Sequence, residues 1–175
     1  MKKIVSIAVA LLIVAGAACD RSKEDKKQVV YAPVAAPADM EIKRLQEAAK
    51  AAPNKKEIWI ELGNASMDAQ RFNDAIEAYE KALSLDPKNV PVRVDLGTCY
   101  RGVQKYDRAV EEYRKAIKID PAFPNAHRNL GVVLATDLHQ NAEAAKELRR
   151  YLDVAPTAPD APDIRTMIQQ LSTAK

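Results

Sequence analysis

Residues of the same type recur in this chain every 34 positions. Gly63, Gly97 and Gly131 keep that step, each preceded by a leucine at Leu62, Leu96 and Leu130. Ala75 and Ala109, Tyr79 and Tyr113, and Ala82 and Ala116 keep it too, as do Pro53, Pro87 and Pro121, with Pro156 following at 35. Three of five glycines and four of ten prolines therefore sit on one ruler. Such a period marks a repeated supersecondary unit that buries its apolar face only by stacking on its neighbours. Glycine inside a helix costs about 1 kcal/mol relative to alanine. Its return at one phase implies a close approach between helices, which Ala75 and Ala109 would complete as opposing small residues, with the tyrosines in the larger spaces. Each proline would end the second helix of a unit. Asn73 and Asp107 are expected as N-caps of the second helices. Gly102 falls off the packing phase.

Units begun at Lys56, Val90 and Pro124 align. The first carries Trp59, Leu62, Gly63, Ala75, Tyr79, Ala82 and Pro87; the second carries Leu96, Gly97, Tyr100, Ala109, Tyr113, Ala116 and Pro121. The third carries Leu130, Gly131 and Leu134 and, after one extra residue near Asp137 to Gln140, Ala144, Leu148, Tyr151 and Pro156. This pattern resembles the tetratricopeptide repeat (TPR) family over about residues 40 to 156. Arg93 and His127 depart from it where the family has Trp, and Ser66 where it has Tyr. The resemblance implies an all-α, right-handed superhelix (α-solenoid) of antiparallel helix pairs. Repeats are expected at 56–89, 90–123 and 124–158. A partial-repeat helix at 39–55 has Leu45 and Ala48 on the ruler. A capping helix at 159–175 has Ala161, Ile164, Ile168 and Leu171 at helical spacing.

The first residues read differently. Lys2 and Lys3 precede fifteen residues without a charge, Ile4 to Ala18. As a helix that run would span about 22 Å, short of the ~30 Å hydrocarbon core. A basic start, a short apolar centre and small residues at its end describe a secretory signal over 1–18. Ala15, Gly16, Ala17 and Ala18 then meet Cys19, which resembles a bacterial lipoprotein signal with Cys19 as the lipidated residue. Gly16 stands where that family usually has an aliphatic residue, so cleavage after Ala17 or an uncleaved anchor remain alternatives. Residues 19–38, with mixed charge followed by Pro33 and Pro37, read as a flexible tether. The resulting expectation is an exported protein of the bacterial cell envelope, held on a membrane through lipid on Cys19.

No sequence motif for catalysis is present. There is no phosphate-binding glycine loop, no pair of histidines on one helical turn and no Cys-x-x-Cys. Removing Lys2 and Lys3 from the 27 basic residues leaves 25 against 24 acidic, and no basic stripe argues for nucleic acid. Cys99 and His127 read as packing residues and His139 as a loop residue. The expectation is therefore a protein that is not an enzyme and needs no metal or cofactor. It would be a binding module, or alternatively a self-associating structural protein without a separate client.

At 100° per residue, the side of each first helix opposite its packing face holds repeat positions 2, 5, 6, 9 and 13. The resemblance implies that these positions line a concave groove for a partner protein or peptide. Its residues would be Ile60, Glu61, Asn64, Asp68, Val94, Asp95, Thr98, Arg128 and Asn129, with Arg101 at the border and Glu57 and Asn125 at the ends. The family's clamp for a chaperone's C-terminal carboxylate needs basic residues where this chain has Ile60, Asn125 and Asn129, so that ligand is not expected.

Overall fold

The computed structural model describes residues 37–173; the expected export signal and Cys19 lie outside them, as does the expected tether of 19–38 except for residues 37 and 38, which belong to the first helix. Among the described residues there are eight α-helices and no strand: α1 Pro37–Ala51, α2 Lys56–Asp68, α3 Phe72–Leu85, α4 Val90–Gly102, α5 Tyr106–Ile119, α6 Pro124–Thr136, α7 Asn141–Val154 and α8 Ala161–Thr173. Each helix packs on the next along the right-handed superhelix, and α4 also packs on α6, so the first helices of the second and third units touch. None of these helices is long and apolar enough to cross a membrane.

Each second-type helix stops two residues before a ruler proline: α1 at Ala51, α3 at Leu85, α5 at Ile119 and α7 at Val154. The residue before a proline is driven out of the helical region. Accordingly, Asp86, Asp120 and Ala155 have φ near −139°, −134° and −138° with positive ψ. The first helices end another way. Gln70 and Gln104 adopt φ of 57° and 60°. The amides of Arg71 and Lys105 then return to the carbonyls of Ser66 and Tyr100, both at 2.8–2.9 Å, closing a Schellman turn. In the third unit the extra residue lengthens this loop to Asp137–Gln140, and His139 takes the positive φ of 55°. The expected caps are not formed. Asn73 and Asp107 lie one residue inside α3 and α5, behind Arg71 and Lys105, which make no side-chain cap bond. The side-chain cap is Asn89, which accepts from the Val92 amide at 3.1 Å.

The glycines make room for rings, and this corrects the expected partner. A Cβ on Gly63 would lie 2.4 Å from the Tyr79 ring, and one on Gly97 would lie 2.6 Å from the Tyr113 ring. Ala75 and Ala109 are fully buried, yet the tyrosines occupy the space each glycine leaves. In the third unit Leu148 takes that place, 2.7 Å from a Cβ on Gly131. Gly102 is also close-packed, its Cβ direction meeting the Phe72 ring at 2.8 Å. The main core runs through all three units, and α8 closes its end with Ile164 and Ile168 packed on Leu148 and Tyr151.

Candidate functional site

Position 4 of the three units holds Trp59, Arg93 and His127, three side chains of unlike chemistry with one shared role. Each bonds the carbonyl of the proline six residues earlier: Trp59 Nε1 to Pro53 at 2.9 Å, Arg93 to Pro87 at 2.7 Å, and His127 Nε2 to Pro121 at 2.9 Å. The bond fastens the start of each first helix to the end of the preceding second helix. What remains of the side chain selects its neighbour on the unit's own second helix. Arg93 donates to Glu112 at 2.6 Å, His127 Nδ1 lies 2.8 Å from Glu147, and Trp59 has the small Ala78 at that position. His127 is thereby held between the Pro121 carbonyl and Glu147. Aligned units show the two columns changing together, a signal the sequence reading had available and did not use.

The inner surface follows from the same phase. Position 9 faces the second-helix tyrosine. Asn64 Oδ1 accepts from the Tyr79 hydroxyl at 2.7 Å, and the Thr98 hydroxyl lies 3.2 Å from that of Tyr113 while donating to the Val94 carbonyl. Asn129 reaches Thr98 from the next unit at 3.5 Å. The structure thus joins Asn64, Thr98 and Asn129 to the tyrosine scaffold. Val94 does not belong to the surface. It is 3% exposed within the core, because the turn of α4 that carries it faces its neighbours. Ile60 is half-buried against the core, and Glu57, Glu61, Asn64 and Asp68 are exposed.

Charge divides this surface. At the end formed by α2 and α4, Glu57, Glu61, Asp68 and Asp95 make no ion pair among the described residues. Burial, and after it the nearby Asp68 carboxylate, pushes Asp95 above the usual carboxylate range. At the other end the bases are already matched. Arg101 donates to Asp137 at 2.6 Å and to Thr136 at 3.1 Å, and Arg128 donates to Asp160, which also accepts from the Tyr151 hydroxyl. Asn125, Arg128, Asn129, Tyr151 and Asp160 line an open cleft there. Cys99 is fully buried, and burial, with a smaller contribution from Asp95, pushes its thiol up to about 12, so it is held as the neutral thiol. Among the described residues no group of three or more His, Cys, Asp or Glu is placed to hold a metal ion.

Three repeat-family models match in overlapping stretches: tetratricopeptide repeat at 56–89 and at 78–111, and TPR repeat at 97–137. Together these matches span residues 56–137. Solved structures match over a larger share of the chain than that stretch. MamA superposes with a TM-score of 0.68 at 22% identity, over 77% of this chain and 84% of that one. The first TPR of Spaghetti (RPAP3), bound to HSP90 peptide SRMEEVD, gives 0.63 at 23%, over 68% and 94%. The Yersinia enterocolitica type III secretion chaperone SycD, in complex with a peptide of the translocator YopD, gives 0.63 at 18%, over 66% and 91%. A search of curated proteins gives no match to this sequence.

Proposed function

We propose that the chain is a protein-binding TPR module whose concave groove holds a partner peptide, with basic residues of that peptide against α2 and α4. One observation carries this reading: at that end of the groove Asp95 and the nearby Asp68 make no ion pair among the described residues, and Asp95 is kept there although burial disfavours its charge. A protein gains no stability from such an arrangement, which is why unpaired, desolvated acids mark binding sites. The peptides held by the RPAP3 and SycD folds support a peptide as the ligand class. The RPAP3 ligand itself is acidic and fits poorly here, since Ile60, Asn125 and Asn129 stand where that clamp needs bases. The export signal and Cys19 support a module tethered to a membrane of the bacterial envelope, where it would scaffold an assembly.

Exposed ion pairs contribute only about 0–1 kcal/mol each, so the acids set orientation and association rate more than affinity. The test is fluorescence anisotropy with labelled extended peptides of equal length, one rich in lysine and one in glutamate. The lysine peptide should bind, more weakly with rising salt, and Asp68→Asn with Asp95→Asn should weaken it. Preference for the glutamate peptide would overturn the reading.

A further inference from the structure

We propose that the cleft between α1 and α3 receives an arginine side chain of a partner protein; it shares no residue with the groove and is independent of it. The cleft measures about 270 Å³. Its apolar lining is Trp59 and Leu62 of α2 with Ala78 of α3, and its polar lining is Asp74 and Glu77 of α3 with Gln46 and Lys50 of α1. An apolar cavity of about 150 Å³ already accepts a benzene ring, so one long side chain fits.

The later units place a guanidinium of their own in the equivalent niche. Counting forward 34 residues, Asp74 becomes Arg108, Glu77 becomes Glu111 and Ala78 becomes Glu112. Arg108 donates to Glu111 at 3.1 Å and lies 5.6 Å over the Tyr100 ring, whose hydroxyl donates to Glu80 of α3. One unit further, Arg114 of α5 and Glu143 of α7 stand in the places of Gln46 and Asp74, and Arg114 donates to Glu143 at 2.6 Å. Beside these bases, Glu112 and Glu147 reach across to Arg93 and His127.

The first unit keeps the acid and has no such base. Glu77, the counterpart of Glu111, makes no ion pair among the described residues, and neither does Lys50. Asp74 puts a second carboxylate where Arg108 stands, and Arg71 bonds only its Oδ2. Ala78 is short where Glu112 and Glu147 extend, which leaves the cleft open. Trp59 is half-buried and its ring is held by the Nε1 bond to Pro53, so it presents a fixed aromatic face. A guanidinium stacks on such a face and meets carboxylates as a planar fork, which a lysine ammonium does less well. An incoming arginine thus repeats the Arg108 arrangement: its plane lies on Trp59, its N–H groups donate to Glu77 and to Asp74 Oδ1, and its stem runs along Leu62 and Ala78.

Trp59 is the only tryptophan in the chain and lines the cleft, so its indole N–H gives one NMR resonance that reports directly. In the full chain, Nα-acetyl-argininamide should shift that resonance saturably. Nα-acetyl-citrullinamide, similar in shape without the charge, should not. Glu77→Gln should weaken binding about fivefold, the upper end for an ion pair open to water. Gln46→Arg, which recreates the Arg114–Glu143 pair against Asp74, should abolish the shift without lowering the melting temperature. Asp68→Asn with Asp95→Asn, which acts on the groove, should leave the shift unchanged. Equal shifts with the arginine and citrulline compounds, or a shift with Nα-acetyl-tyrosinamide alone, would overturn the proposal. So would an arginine shift that survives Glu77→Gln and Gln46→Arg and disappears in the groove variant. A resonance that moves with protein concentration alone would also overturn it, assigning the cleft to a second copy.

Discussion

Replacing Gly97 by alanine tests the packing rule that sets the whole stack. The added Cβ would lie 2.6, 2.9 and 3.0 Å from Cε1, Cδ1 and Cζ of Tyr113. That ring is 1% exposed and held at its far end by Thr98, so it has nowhere to turn. Overpacking costs about 1–3 kcal/mol, and alanine returns about 1 kcal/mol of helix propensity. With the ring fixed at both ends the upper part of the range applies, leaving a net loss of about 2 kcal/mol. For a chain of this size each kcal/mol moves the melting temperature by about 2–4 °C. The expected drop is then about 4–8 °C by circular dichroism, with a matching fall in the urea midpoint. Gly102→Ala is the control. Its Cβ meets Phe72 at 2.8 Å, but that ring is only half-buried and can swing toward water. The expected change there is within about 0.5 kcal/mol. A Gly97→Ala variant as stable as the parent would refute the reasoning.

Glu112→Ala leaves the Arg93 guanidinium 13% exposed beside no carboxylate and should destabilise by about 3 kcal/mol; adding Arg93→Trp, which recreates the Trp59–Ala78 pair of the first unit, should recover most of the loss in urea denaturation. Gln104→Gly relieves a residue held at φ 60° and should stabilise by about 1 kcal/mol in the same measurement. Asp95→Asn should raise stability at neutral pH. The raised pKa means that the Asp95 contribution is fully present below its unfolded value and lost as pH climbs through its folded value, so parent and variant melting curves should converge near pH 3. Asn64→Ala removes the acceptor of the buried Tyr79 hydroxyl and should cost about 1–2 kcal/mol of stability, whatever it does to binding.

The helices were legible because glycine, alanine and proline carry strong backbone and packing constraints, and a 34-residue repeat states each constraint three times. The ends of the first helices were less so: glutamine at a positive φ has no sequence signature, and Gln70 and Gln104 occupy it because the Schellman turn requires that residue's conformation and not its side chain. Asn73 and Asp107 are ordinary capping residues placed one position too late, since the turn had already fixed where the helix begins. In the groove, helical phase placed Glu61 and Asp68 on the exposed surface and Asp95 at its half-buried edge, and erred at Val94, which packs into the core. Phase alone also could not show that Asn64 and Thr98 are bonded to Tyr79 and Tyr113, because those contacts depend on how far the rings reach across each unit.

The central claim is that the concave face near α2 and α4 is where a partner binds through positive charge. The direct measurement is photocrosslinking in cells, with a photoreactive residue in place of Glu61 or Asp95 on that face and, in parallel, of Lys118 or Arg149 on the exposed sides of α5 and α7. Mass spectrometry should find one protein joined at Glu61 and Asp95 and absent from the other two, through a segment with more lysine and arginine than aspartate and glutamate. Adducts formed only at Lys118 and Arg149, or a captured segment of net negative charge, would contradict it.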